Sequence, residues 1–145
     1  MDRTARPDGV PDFDGLAEQL STRMGITITE WNPARVVATM PVAGNRQPYG
    51  LLHGGANAAL AETAGSTCAA LAVGPGRIAL GLELSCTHHR AARDGTITAV
   101  ATPAHIGRGT ATVEILLTDD AGRRTCTARL TCVVRDQPPA SAPGD

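Results

Sequence analysis

The chain has 145 residues, 42% of them hydrophobic and 19% charged, with a formal net charge of -1. That length suits one domain around one core, burying roughly 70% of the surface the unfolded chain exposes. The composition is that of a globular protein, and the near-neutral balance without any basic run leaves no electrostatic footprint for nucleic acid.

Residues 1–11 carry neither the basic nor the apolar region of a signal peptide. No stretch approaches the roughly 18 uncharged apolar residues that a membrane span requires. The cysteines Cys68, Cys86, Cys126 and Cys132 show no Cys-x-x-Cys and no His/Cys metal spacing. They are expected to be reduced thiols packing as small hydrophobes in a cytoplasmic protein that uses no metal and touches no membrane.

Taken in order, residues 1–12 read as a flexible polar arm, 13–136 as one folded domain and 137–145 as a disordered Pro/Ala/Ser/Gly tail. Phe13, Leu16, Ala17, Leu20 and Met24 recur at three and four and predict a short amphipathic helix ended by Gly25. Ile26–Trp31 and Arg35–Val42 predict two strands about the Asn32-Pro33 turn. A loop with Gly44, Pro48 and Gly50 leads to a helix over Gly54–Val73, stopped by Gly74-Pro75-Gly76. That helix is small or apolar almost all round, which predicts burial on several sides.

Four strands follow. Ile78, Leu80, Leu82 and Leu84 alternate with Ala79, Gly81, Glu83 and Ser85, which predicts the four large residues on one face. Thr96–Thr102 is β-branched and follows the Asp94-Gly95 turn. Val113, Ile115 and Leu117, and then Cys126, Ala128, Leu130, Cys132 and Val134, alternate with mostly polar partners on either side of a turn at Asp119–Gly122. Sequential strands with short turns favour an antiparallel sheet, which must bury one face. The long thin helix is the element of the right length, so the expected fold is α+β, a curved antiparallel sheet wrapped around a central helix.

Chemistry concentrates in Gln47-Pro-Tyr-Gly-Leu-Leu-His53-Gly-Gly55 and the helix that follows. Glu62 is the only charged side chain from Gly54 to Gly76, and a carboxylate buried in such a helix needs a reason to be there. Ser66 lies at i+4 from Glu62 on the same helix face. The first amides of the helix have no internal partner and sit at the positive end of its dipole. Glycines at 54 and 55 let a ligand approach that backbone, so an N–H pair there suits an oxyanion in acyl transfer. Gln47 or His53 can add a further donor. Gly54 precedes Glu62 by eight residues, about 12 Å along a helix, too far for both to reach one atom within one chain. An antiparallel second copy would bring the two together, which predicts a site shared between subunits.

These residues carry a resemblance. Asn45, Gln47, Gly50-Leu-Leu-His-Gly-Gly55, Glu62, Ser66, Gly81-Leu-Glu-Leu84, His88, Arg90 and His105-Ile-Gly-Arg-Gly109 match, over roughly residues 20–135, the pattern of the hotdog-fold acyl-CoA thioesterases. The match is to the branch acting on phenylacetyl-, hydroxybenzoyl- and related CoA esters. The resemblance implies Glu62 as nucleophile or general base and the Gly54 N–H as oxyanion hole. It further implies Gln47 and His53 positioning the thioester, Ser66 holding water or Glu62, and His88 near the site. It implies a dimer of dimers with sites at subunit interfaces, and no cofactor beyond the coenzyme A of the substrate. Asn45, Gly55, Arg90 and Arg108 are candidate contacts to substrate or CoA, the arginines because guanidinium suits phosphate. One departure is Ser85-Cys86-Thr87, where relatives often carry Asn-x-Asn, and another is His89 at a usually apolar position.

Other chemistries fit less well. No Gly-x-Ser-x-Gly elbow is present for a serine hydrolase, and no ligand cluster marks a metal hydrolase. A hotdog hydratase or dehydratase would space its histidine and carboxylate differently. A non-catalytic acyl-CoA-binding regulator would have no need of Glu62.

Overall fold

The computed structural model describes residues 2–8 and 18–137. The first half of the helix expected from Phe13 to Met24 lies outside those residues, as does the tail beyond Gln137. The described end of that helix is α1 (Leu20–Met24), closed by Gly25 at φ 72°. Then come β1 (Thr27–Glu30), β2 (Val36–Pro41), α2 (Gly54–Val73), β3 (Arg77–His88), β4 (Thr96–Ile106), β5 (Thr110–Thr118) and β6 (Arg124–Asp136). The β1–β2 turn forms as the Asn32-Pro33 pair suggests: Asn32 Oδ1 accepts the Ala34 N–H at 2.8 Å and the Asn32 carbonyl accepts the Arg35 N–H at 3.0 Å.

The strands make one antiparallel sheet in the order β1-β2-β4-β5-β6-β3, curved around α2. The period-two alternation decides which face is inside. Val36, Ala38 and Met40 of β2, Val113, Ile115 and Leu117 of β5, and the Cys126–Val134 series of β6 are buried against the helix. β4 runs past the expected Thr102 to Ile106, with a bulge between Pro103 and His105. Proline has no N–H for the ladder, so a bulge is where a strand tolerates it.

Strand β3 departs from its sequence pattern. A bulge between Gly81 and Glu83 inserts Leu82 and shifts the alternation by one. Ala79 and Gly81 before it, and Leu84, Cys86 and His88 after it, pair with the inward residues of β6 and so face the helix. Leu80 and Leu82 are instead 54% and 68% exposed. β3 ends the sheet, and among the described residues no strand pairs with its outer edge.

The helix also differs from expectation. Within the single chain α2 buries one stripe, Ala56, Asn57, Leu60, Ala61, Ala64, Gly65, Cys68 and Ala69, and leaves Glu62 and Ala70 exposed. The sheet reaches around one side of the helix only, so small residues elsewhere on it are unused by this chain's own core. The buried side is packed to the limit at Gly65. A Cβ there would stand 3.0 Å from Leu130 Cδ2 and 3.2 Å from Ile115 Cδ1. Gly65→Val should therefore force the sheet off the helix and lower stability by about 1–3 kcal/mol. Urea unfolding at unchanged m-value measures it, and wild-type stability would refute the close packing.

Candidate active site

The loop before α2 is fixed by its own side chains. Asn45 donates its amide to the carbonyls of Met24 and Pro41, both at 2.8 Å, tying the end of α1 to the end of β2. The Asn45 carbonyl accepts the His53 N–H at 2.9 Å, and the Leu51 carbonyl accepts the Gln47 N–H at 2.7 Å. Gln47 turns its Oε1 back to the Tyr49 N–H, and the Nε2 end of the same amide is a donor.

His53 is the N-cap of α2, and its Nδ1 accepts the Gly55 N–H at 2.8 Å. In the neutral ring the proton is then on Nε2. The Ala56 and Asn57 amides reach back to the His53 carbonyl at 2.9 and 3.3 Å. Of the pair of amides expected from Gly54 and Gly55, the second is therefore consumed by the cap. Among the described residues only the Gly54 N–H, of these first four, has no acceptor. It stands at the positive end of a 20-residue helix.

His88, at the end of β3, lies across that glycine. A Cβ on residue 54 would be 3.1 Å from His88 Nε2, so glycine is what lets the ring sit there. The Asn57 Nδ2 is 3.2 Å from His88 Nδ1. His89 turns the other way, to Thr127 Oγ1 at 2.9 Å.

Glu62 is further along α2 and faces a different part of β3. Its Oε1 lies over Gly81, where a Cβ would come within 2.8 Å. The burial expected of this carboxylate does not occur within one chain: Glu62 is exposed. The physical reason is the edge position of β3, which leaves that flank of the helix uncovered. Beside Glu62 opens a cavity of about 650 Å³ lined by Thr63 and Ser66 of α2, Ile28 and Trp31 from the β1 side, and Arg6 of the N-terminal arm. The arm is held there by the Arg3 carbonyl, which accepts the Trp31 N–H at 2.7 Å.

The structure thus brings His53, Gly54 and His88 together at the start of α2, with Gln47 in the loop that leads to it, and places Glu62 with Ser66 half a helix away. Arg90 follows His88 at the first of these places. Arg108 is at the opposite end, where its carbonyl accepts from Arg77, four residues beyond the end of α2. Both arginines are exposed. The cysteines are not rival nucleophiles. Burial raises the thiols of Cys68 to about 11 and Cys126 to about 12. It also raises Cys86 and Cys132, with the negative charge of Glu62 adding to the effect on both. They remain protonated thiols at neutral pH.

Sequence reasoning missed Asn57, Gly81, Trp31 and the arm as parts of the site. Asn57 gave a signal of the same kind as Glu62, a strongly polar side chain in a helix of mostly small and apolar residues. Gly81 stood in the sequence only as part of the Gly81-Leu-Glu-Leu84 match, because its contact with Glu62 exists only across the helix–strand packing. Among the described residues no group of three or more His, Cys, Asp or Glu is placed to hold a metal ion, and no helix is long and apolar enough to cross a membrane.

A family model described as the thioesterase superfamily matches residues 49–126. The chain belongs to that superfamily. It is 45% identical over 116 residues to the proofreading thioesterase EntH of Cronobacter turicensis, covering 79% of this chain and 85% of that one. Among solved structures it is similar to the thioesterase HI1161 of Haemophilus influenzae, with 34% identity, a TM-score of 0.81 and coverage of 87% and 89%. It is also similar to a variant of the thioesterase PA1618 of Pseudomonas aeruginosa, with 38% identity, a TM-score of 0.79 and coverage of 83% and 88%. The chain is a hotdog-fold thioester hydrolase.

The contact between Gly81 and the Glu62 carboxylate yields a test. Gly81→Ala should push the carboxylate aside and lower kcat at least tenfold, since roughly 1 Å of misplacement can cost about 100-fold. Thermal unfolding should shift little, because the displaced atom is the end of an exposed side chain. Unchanged kcat would show that the placement of Glu62 over Gly81 is irrelevant to turnover.

Proposed function

We propose that the chain hydrolyses acyl- or aryl-CoA thioesters, in the cytoplasm, to free coenzyme A and a carboxylic acid, at a site completed by a second copy of itself. The observation that carries this reading is the position of Glu62, exposed over the bulge of an unpaired edge strand and half a helix from the open Gly54 amide. An edge strand of 12 residues bearing exposed Leu80 and Leu82 is a ready template for pairing. Antiparallel pairing of β3 with β3 of a second copy satisfies that edge. It also sets the two α2 helices antiparallel, so that the Gly54 end of one faces Glu62 of the other. Two such dimers then make the dimer of dimers that the family resemblance implies.

In this reading the thioester carbonyl oxygen accepts the Gly54 N–H, where the helix dipole stabilises the negative charge that develops on it. His53 Nε2–H and the Gln47 amide are donors on the same side. The facing Glu62 either attacks the carbonyl carbon or takes a proton from a water that attacks, with Ser66 Oγ positioned to hold that water. The tetrahedral intermediate expels the CoA thiolate as the carbon–sulfur bond breaks. In the general-base route the thiolate takes the proton that Glu62 drew from water. In the nucleophilic route water then hydrolyses the Glu62–acyl anhydride, freeing the acid and supplying the thiol proton. The acyl group occupies the cavity beside Glu62. Arg90 of one copy and Arg108 of the other, drawn toward the same end by the antiparallel pairing, face the CoA phosphates. Asn45 and Gly55 support the loop and cap that hold His53.

Glu62→Gln should lower kcat roughly 100- to 10,000-fold while acyl-CoA still binds. Free thiol release over a panel of acyl- and aryl-CoA esters, with calorimetry for binding, measures both, and hydrolysis at the wild-type rate would sink the mechanism. Sharing of the site is tested by mixing two disabled variants, Glu62→Gln and His53→Ala, under conditions of subunit exchange. Mixed dimers contain one intact site, so random exchange should restore up to about a quarter of the wild-type sites. No recovery would place the whole site within one chain.

A further inference from the structure

We infer that Asn57 fixes the tautomer of His88, making its Nε2–H a second donor to the thioester oxygen beside the Gly54 amide. The inference rests on the proposed oxyanion role of Gly54 and deepens it. Asn57 lies in the first turn of α2 and is 5% exposed. Its Nδ2 is 3.2 Å from His88 Nδ1. An amide nitrogen can only donate, so His88 Nδ1 accepts and the proton of the neutral ring is on Nε2. That nitrogen stands against Gly54, on an exposed histidine at the open end of the site.

The opposite orientation of the amide would reverse this logic, since Oδ1 would accept from Nδ1–H and Nε2 would become an acceptor. As placed, Nδ2 faces His88 Nδ1 and the buried Oδ1 has no partner. Each orientation gives the amide one hydrogen bond, so the two are told apart by the position of the ring proton, which the wild-type spectrum reads directly. The register of β3 supplies the other half of the device. The bulge at Gly81/Glu83 is what turns His88 inward, paired with Cys126, where Asn57 can reach it. Asn57 is therefore a positioning residue that acts through His88 and does not itself meet the substrate.

The test uses the full chain labelled with 15N-histidine, at about pH 8.5, above the usual histidine range. The wild-type spectrum should show His88 with an unprotonated Nδ1 and a protonated Nε2. Asn57→Asp replaces the donor by an isosteric acceptor, so the proton should move to Nδ1. With it kcat should fall roughly 100-fold, the usual loss of one oxyanion donor, while KM changes only a few-fold. A residue that merely packs would move stability and leave the tautomer alone. A wild-type His88 protonated on Nδ1 would overturn the inference without any variant. A tautomer shifted by Asn57→Asp at unchanged kcat would overturn the donor role. Failure of the wild type to release thiol from any CoA ester would overturn the underlying hydrolysis reading as well, a result separate from the spectrum.

Discussion

The closeness of the sheet to α2 sets the rest of the molecule. At Gly65 the helix backbone lies so near β5 and β6 that a single added methyl group would crowd Leu130 and Ile115. An alanine-rich stripe on either side of that glycine allows the same approach along the buried face. With the helix held at this depth, side chains on its flank have nowhere to go but over the neighbouring strand. Glu62 consequently rests on Gly81, and Gly54 lies under His88. A Cβ at either glycine, one on the strand and one on the helix, would crowd the side chain placed over it. The candidate site is thus a by-product of tight packing, in which two missing side chains make room for Glu62 and His88.

The edge strand converts this packing into chemistry. β3 begins at the C-terminal end of α2 and finishes beside its N-terminus, so it passes both places where the helix carries reactive groups. Its bulge allows Gly81 and His88 to face inward together although seven residues separate them, an odd interval that a regular strand would split between two faces. The same bulge turns Leu82 outward onto a rim with unpaired backbone groups. An exposed apolar edge is a liability in a monomer, and it is the surface that the proposed pairing with a second copy would cover. In the proposed reading, fold, assembly and catalysis meet at this one irregularity.

Charge is sparse where it matters. From Gly54 to Gly76 there is one carboxylate and no cation, so in the proposed reading the donors for a developing oxyanion come from the helix N-terminus, the Gln47 amide and imidazoles. Backbone amides and neutral rings can do this without bringing a formal charge that would pair with Glu62 and quench it. Burial, with the Glu62 charge adding to it, raises the thiols of Cys86 and Cys132, so no thiolate stands beside the carboxylate at neutral pH.

Much of the fold was legible in the sequence because it is written in local patterns. The glycine and proline punctuation around residues 54–73 marked the helix ends, and the alternation in 113–117 and 126–134 marked the inward faces. The run from Gln47 to Ser66 also marked the candidate chemistry, since a lone carboxylate and a glycine-opened helix are visible residue by residue. Other features depend on residues distant in the chain. The inward face of β3 required its pairing with β6, because a bulge is a property of two strands and the leucine alternation pointed the wrong way. That His53 consumes the Gly55 amide, and that Asn57 reaches His88 31 residues away, are likewise contacts of the folded chain. The exposure of Glu62 is of this kind too. Sequence determined that a carboxylate sits in this helix; only the tertiary structure decided that it faces outward over Gly81, because the sheet ends there.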